Sequence, residues 1–185
     1  MFSVEKKNSE RKIFKNLRKK SSLVDMKNVE INVKKYVDSI LSKDLQKKYI
    51  GIYWPLKYEV DLRKLGDQYS LALPRCEKNK NLLFCVWDKR QLSKDSHGIP
   101  APDASKKLSF EKISIIFVPC LSVDKNLTRL GYGGGYFDKL REDKNWRTIP
   151  CVGILTSNCV SHELLTRAEW DIPLSGFITE NEILV

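Results

Sequence analysis

Ile113-Ser114-Ile115-Ile116-Phe117-Val118-Pro119 is the most apolar run in the chain. A nearly continuous apolar stretch, without polar alternation, predicts a parallel strand buried on both faces. Pro119 stops it. Cys120 to Asp124 and a turn at Lys125-Asn126 then lead to Arg129-Leu130-Gly131-Tyr132-Gly133-Gly134-Gly135-Tyr136-Phe137-Asp138. Four of the chain's nine glycines fall in these ten residues. Glycine loses the most conformational freedom on folding, so such a cluster needs a local reason. Either a tight connection requires positive φ, or a ligand must approach the backbone. Successive N–H groups in such a turn make an anion-binding nest, and a helix predicted from Tyr136 adds positive potential. Arg129 before the glycines is an anion-binding head, and Asp138 after them is a candidate metal ligand. The stretch completes neither standard phosphate-loop pattern. Tyr136 stands where G-x-G-x-x-G needs its last glycine, and no Lys-Ser or Lys-Thr follows. On its own residues it reads as a structural turn or a polyphosphate loop, with the flanking charges favouring the second.

Strand-like runs lie on both sides of this centre: Tyr49–Tyr53, Tyr69–Leu73, Leu82–Trp87, Cys151–Leu155 and Gly176–Thr179. Helices are predicted over residues 8–20, 25–41, 62–66, 136–141 and 160–167. In the second of these, Val29, Val33, Tyr36, Val37, Ile40 and Leu41 repeat at helical spacing, with Asp25 as N-cap. Strands alternating with helices give an α/β class with a largely parallel sheet. The expected architecture is one three-layer domain over residues 1–185, with a Rossmann-like central sheet and a basic N-terminal helix. Glu59 and Asp61 follow the first strand, where open α/β sheets bind ligands. One of the two is expected to face a ligand and the other to cap the short helix. Residues 91–109 read as a long surface loop, with His97 an exposed loop histidine rather than a metal ligand.

The net charge of +10 is uneven, since eight Lys and Arg before residue 21 face only Glu5 and Glu10. In the basic helix, Ile13 and Leu17 form the expected apolar face. Its cations are a solvated surface, a nucleic-acid patch or part of a phosphate site. Without interleaved aromatics, nucleic acid is not an expected partner. No apolar run reaches membrane-spanning length, and the N-terminus lacks a signal-peptide segment. The five scattered cysteines, with no C-x-x-C pair, suit reduced thiols in a cytoplasm.

The order of these motifs resembles the 5-formyltetrahydrofolate cyclo-ligase family over nearly the whole chain. Lys15-Asn16-Leu17-Arg18 is similar to the family's basic N-terminal element. Residues 53–61, YWPLKYEVD, match its Y-x-P-x-x-x-E-x-D segment. Val118 to Asp124 with Arg129 to Asp138 look like its hallmark, and Trp170-Asp171-Ile172-Pro173-Leu174 like its C-terminal end. Ser157, Asn158 and Cys159 stand where the family usually has a glutamine. The resemblance implies ATP- and Mg²⁺-dependent conversion of 5-formyltetrahydrofolate to 5,10-methenyltetrahydrofolate, ADP and phosphate, by a monomer. It also implies roles. Gly131, Gly133, Gly134 and Gly135 would cradle phosphates, Arg129, Lys15 and Arg18 would neutralise them, and Tyr136 would contact the transferring group. Asp138 would bind Mg²⁺, with Asp124 a turn residue. Glu59 would accept from the pterin, and Trp54 and Tyr58 would wall the folate pocket or simply pack the core. Arg75 and Trp87 are read as structural.

Overall fold

The computed structural model describes residues 2–40 and 48–185. Helix α1 (Phe2–Arg18) begins six residues before the expected start at residue 8. Its inward stripe matches the expected one only in part. Ile13 is 56 % exposed, whereas Phe14 and Leu17 pack against buried clusters and Arg18 is buried. Positions 7, 11, 14 and 18 follow one helical stripe. Three of those four are cations, so apolar spacing does not reveal it.

Helix α2 (Leu23–Ile40) buries Val29, Val33 and Val37, as expected. Leu41, its expected last residue, lies outside the described residues. The N-cap is Ser22 rather than Asp25. Asp25 N–H donates to Ser22 Oγ at 3.0 Å and Ser22 N–H donates to Asp25 Oδ2 at 3.0 Å. This reciprocal capping box satisfies two donors that the helix cannot. Ser22→Ala is expected to lower stability by about 1 kcal/mol. A denaturant midpoint unmoved by the change would show that the box adds nothing.

The strands are β1 (Tyr49–Gly51), β2 (Leu71–Cys76), β3 (Leu82–Trp87), β4 (Ser93–Lys94) and β5 (Pro100–Ala101), followed by β6 (Ile113–Pro119) and β7 (Ser122–Val123). Then come β8 (Arg129–Leu130), β9 (Cys151–Ile154), β10 (Gly176–Ile178) and β11 (Ile183–Leu184). Seven of them form the central sheet in the order β11-β10-β9-β6-β1-β2-β3. From β10 to β2 every neighbouring pair is parallel, and β11 and β3 add antiparallel edges. The apolar run that predicted a doubly buried strand is β6, near the centre. Helix α2 and the 3₁₀ turn Arg63–Asp67 cover one face through Val29, Val33, Val37 and Leu65. The other face packs Leu140 and Trp146, from α3 (Tyr136–Glu142) and α4 (Lys144–Arg147). The fold is thus three-layered, α/β and mostly parallel.

Three features depart from expectation. Residues 160–167 are not helical. Val160 bridges to Val123, Ser161 N–H donates to Val123 O at 2.8 Å, and Leu165 N–H donates to Asp124 Oδ2 at 2.9 Å. These tertiary partners satisfy the backbone in extended form and override a weak local helical preference. The strand β11 was also missed, being only two residues long. Residues 91–109 are not structureless, because β4 and β5 pair within them.

The topology places a site. After β1 the chain moves to β2 and β3 on one side, then returns to β6 on the other. Loops leaving the C-terminal ends of β1 and β6 therefore diverge, and open α/β sheets bind ligands at such a switch point. The Glu59 loop leaves β1, and the glycine stretch follows β6.

Candidate active site

A cavity of about 520 Å³ lies at this switch point. Its walls include Trp54, Leu56 and Glu59 from the β1 loop, Arg129 and Gly131 to Asp138 from the glycine stretch, and Lys7 and Arg11 from α1. His97, Trp170 and Asp171 complete part of the rim. The site thus gathers segments far apart in sequence around the ends of two neighbouring strands.

Arg129 lies on β8, which pairs with β7 in a short antiparallel ribbon. Its side chain is 11 % exposed, with Nη2 donating to Asp138 Oδ1 at 3.3 Å and Nη1 to Pro119 O at 3.4 Å. Burial works against the guanidinium's charge, but Asp138 together with Cys120 and Cys151 leaves its pKa raised. The glycines answer two needs. At Gly131 a Cβ would come 3.0 Å from the Arg129 guanidinium, so glycine leaves that head its space. Gly133 and Gly135 have φ of +100° and +72°, which other residues rarely adopt. Among the described residues, no acceptor engages the N–H groups of Gly133, Gly134 and Gly135. They remain available to an anion.

Helix α1 meets this loop with its charged stripe. Arg11 Nε donates to Gly131 O at 3.0 Å, and Lys7 pairs with Asp171. Both cations line the cavity, whereas Lys15 and Arg18, the two assigned to phosphate from sequence, do not. The Lys15 ammonium lies 5.7 Å from the centre of the Tyr132 ring. Arg18 is turned inward, its guanidinium 4.9 Å from that ring and its Nη1 3.4 Å from Glu59 Oε1. The cations of α1 on the cavity wall are therefore Lys7 and Arg11, one to two turns before the expected pair. A repeat of cations at 7, 11 and 15 was the legible signal.

Glu59 is buried, and burial pushes its carboxyl up against the opposing pull of Leu56 N–H and Arg18. Its Oε2 accepts from Leu56 N–H at 2.7 Å, while Tyr132 O–H donates to Oε1 at 2.8 Å. Tyr132 therefore ties the glycine loop to the β1 loop. Trp54 lines the cavity and carries the Arg63 guanidinium 4.4 Å above its ring. Tyr58 does not line it. This residue has φ of 67° in a tight reversal, 38 % exposed, with Lys57 over its ring. Leu56 takes its place on the wall. Leu62 is the N-cap of the 3₁₀ turn, and Asp61, just before it, accepts from Arg63 N–H at 2.9 Å.

Asp124 is the turn residue expected of it, accepting from Asn126, Thr128 and Leu165 N–H. Arg75 is structural too, donating to Pro102 O. Asp138 and Asp171 both line the cavity, but the described residues contain no cluster of three or more metal-ligating side chains. Asn158, at the altered glutamine position, donates to Leu17 O at 3.1 Å and accepts from Thr156 O–H at 2.7 Å. It anchors the end of α1. Among the described residues, no helix is long and apolar enough to cross a membrane. All five cysteines are free thiols.

A family model described as the 5-formyltetrahydrofolate cyclo-ligase family matches residues 3–180. The chain belongs to this family. Among cyclo-ligases, that of Haemophilus influenzae is 26 % identical over 145 residues, covering 72 % of this chain and 76 % of the relative. The Escherichia coli cyclo-ligase is 32 % identical over 85 residues, 45 % of this chain and 46 % of that protein. The solved structure of Aquifex aeolicus 5,10-methenyltetrahydrofolate synthetase is similar at a TM-score of 0.78 and 27 % identity, over 96 % of this chain and 91 % of that one. A synthetase of that name from Mycoplasma pneumoniae, 22 % identical with a TM-score of 0.67, shares the fold over 94 % of this chain and 98 % of its own. Membership in the cyclo-ligase family makes this chain an enzyme, and the cavity is its candidate active site.

Proposed function

We propose that the enzyme converts 5-formyltetrahydrofolate to 5,10-methenyltetrahydrofolate, consuming ATP and releasing ADP and phosphate. One observation carries this reading. A single cavity joins a glycine nest flanked by Arg11 and Arg129 to a wall made of Trp54, Leu56 and the buried Glu59. One end suits a polyphosphate, and the other suits a flat heteroaromatic ring with N–H donors.

The chemistry requires both ends. A formamide oxygen is a poor leaving group, so it must first take the γ-phosphoryl group. N10 then attacks the activated carbon and phosphate departs. Phosphoryl transfer depends mainly on positioning and on charge stabilisation. Arg129 and Arg11 neutralise phosphate charge, while N–H groups of the glycine loop hold phosphate oxygens without side-chain bulk. Glu59 accepts from the ring's N–H groups and Trp54 packs its face. Tyr136, at the end of the glycine loop, contacts the transferring group.

The residues present fit Mg²⁺. This ion takes one or two carboxylates and completes its octahedral shell with phosphate oxygens and water, so a larger protein cluster is not required. Asp138 would hold it, with Asp171 the second carboxylate on the same cavity. Held there, Mg²⁺ would supply positive charge to screen the phosphate oxygens.

Purified protein incubated with Mg-ATP and 5-formyltetrahydrofolate should give a near-ultraviolet rise from the methenyl product and a matching amount of ADP. Omitting either substrate should abolish both. Absence of product and of ADP would overturn the assignment. In the same assay, Glu59→Gln is expected to raise the KM for the folate roughly tenfold, the loss of one charge-assisted hydrogen bond in a buried site, with the KM for ATP much less affected.

A further inference from the structure

Glu59 lines the cavity, yet its side chain is only 3 % exposed, and three donors hold its carboxylate. Leu56 N–H donates to Oε2 at 2.7 Å, and Glu59 N–H donates to Leu56 O at 3.0 Å, so this donor belongs to the β1 loop itself. Arg18 Nη1 lies 3.4 Å from Oε1, on a buried side chain fixed in α1. The third donor is different. Tyr132 O–H donates to Oε1 at 2.8 Å from a residue 37 % exposed, and Glu59 is the hydroxyl's one partner among the described residues. Tyr132 stands between Gly131 and Gly133, the latter at φ of +100°, and its ring lies against Lys15 and Arg18. Of the three donors, it alone sits on a glycine-flanked loop and can leave without unpacking a helix or a strand.

We propose that Tyr132 couples the two substrate sites by giving up its hydrogen bond to Glu59 when the folate binds. This inference rests on the cyclo-ligase reading, in which Glu59 accepts from N–H groups of the pterin ring. While the phenol holds Oε1, the carboxylate has few accepting positions left for a ligand. An incoming ring exchanges its own N–H donors for the Tyr132 hydroxyl, so the buried carboxylate is never left short of a partner. The glycine loop is then no longer tied to the β1 loop. Its N–H groups at Gly133, Gly134 and Gly135 close on the phosphates of ATP beside Arg129. The folate thus prepares the nucleotide end of the cavity, and by linkage the nucleotide favours the folate by the same factor. Tyr132 is a positioning residue, acting through Glu59 and the glycine loop.

The remaining restraints on the loop leave room for this movement. Arg11 Nε donates to Gly131 O at 3.0 Å, so the loop stays anchored at its start while the residues after it shift. The cations over the Tyr132 ring attract its face whether or not the hydroxyl is present. Tyr132→Phe therefore keeps the stacking on Lys15 and Arg18 and removes the tie to Glu59 alone.

Calorimetric titration of 5-formyltetrahydrofolate, without and with a saturating non-hydrolysable ATP analogue and Mg²⁺, reads the coupling directly. In the wild-type enzyme the analogue is expected to tighten the folate about tenfold, the worth of one hydrogen bond to a charged group. Tyr132→Phe should bind the folate about tenfold more tightly on its own, with the analogue adding little. The two proteins should then match once the analogue is bound. An unchanged or weakened folate affinity in Tyr132→Phe would overturn the proposal, as would a wild-type coupling factor near one or a coupling that survives in the variant. A second measurement keeps the wild-type side chain. With the tyrosines replaced by 3-fluorotyrosine, the fluorine resonance missing from Tyr132→Phe should shift when the folate is added without nucleotide; an unmoved resonance would remove the exchange. A wild-type enzyme that binds neither ligand and forms no product overturns the cyclo-ligase reading itself, and the coupling with it.

Discussion

Arg129→Ala is expected to lower kcat/KM for ATP by about 10²- to 10³-fold, the effect of removing one preorganised donor from a site of developing charge. Three features of the residue support so large an effect. Its side chain is mostly buried, so water does not screen it as it screens a surface arginine. The Asp138 carboxylate and the Pro119 carbonyl hold it, so little reorganisation is needed when phosphate arrives. Gly131 lacks the Cβ that would press on the guanidinium. Alanine removes the charge and the two-pronged donor together. Arg129→Lys keeps a charge without the fork and should recover only part of the loss. Initial rates with ATP varied at saturating folate, and then the reverse, separate the effects. The KM for the folate should change little. Equal losses on both substrates, accompanied by a lowered denaturation midpoint, would make Arg129 a structural residue instead.

The parts of this site legible in sequence were those whose chemistry is local. Ile113 to Pro119 announces a buried strand through its own composition, and the glycine stretch announces a special backbone through its own residues. The pair Glu59 and Asp61 past the first strand was legible as one ligand-facing and one capping residue, and only the resemblance separated them; Glu59 lines the cavity. The failures share a different cause. Apolar periodicity placed Leu17 of α1 correctly and Ile13 wrongly, because the packed stripe runs through Lys7, Arg11, Phe14 and Arg18, whose cations are held by pairing. Tyr58, which the resemblance set on the pocket wall or in the core, lies off the cavity, and nothing in its neighbours signals its positive φ. His97 is the exposed loop residue expected, but its contact with Tyr136, 39 residues away, lies beyond any local pattern. Residues 160–167 looked helical because extended partners such as Val123 and Asp124 are invisible until the chain is folded. Sequence read the backbone chemistry well and long-range pairing poorly.

The sharpest test of that distinction is Arg18, assigned to phosphate from sequence and paired with Glu59 in the structure. Arg18→Ala is expected to destabilise the fold by about 3–5 kcal/mol, because it leaves a buried carboxylate without its counter-charge. A solvated phosphate ligand would behave in the opposite way, raising the KM for ATP with little change in stability. The partner gives an internal check. Adding Glu59→Gln to Arg18→Ala removes the orphaned charge, so the double variant should be more stable than Arg18→Ala alone. The pH dependence follows from the direction of the Glu59 shift. Burial already raises its folded-state pKa, and loss of Arg18 raises it further. A carboxyl with a raised folded pKa destabilises the fold most when ionised, at higher pH. That penalty fades as pH falls through the folded value and is gone below the unfolded one, about 4.3. The stability deficit of Arg18→Ala should therefore be larger at pH 7 than at pH 5, measured by denaturant unfolding of both proteins at each pH. A deficit independent of pH would mean that Arg18 contributes packing, through Tyr132, rather than charge.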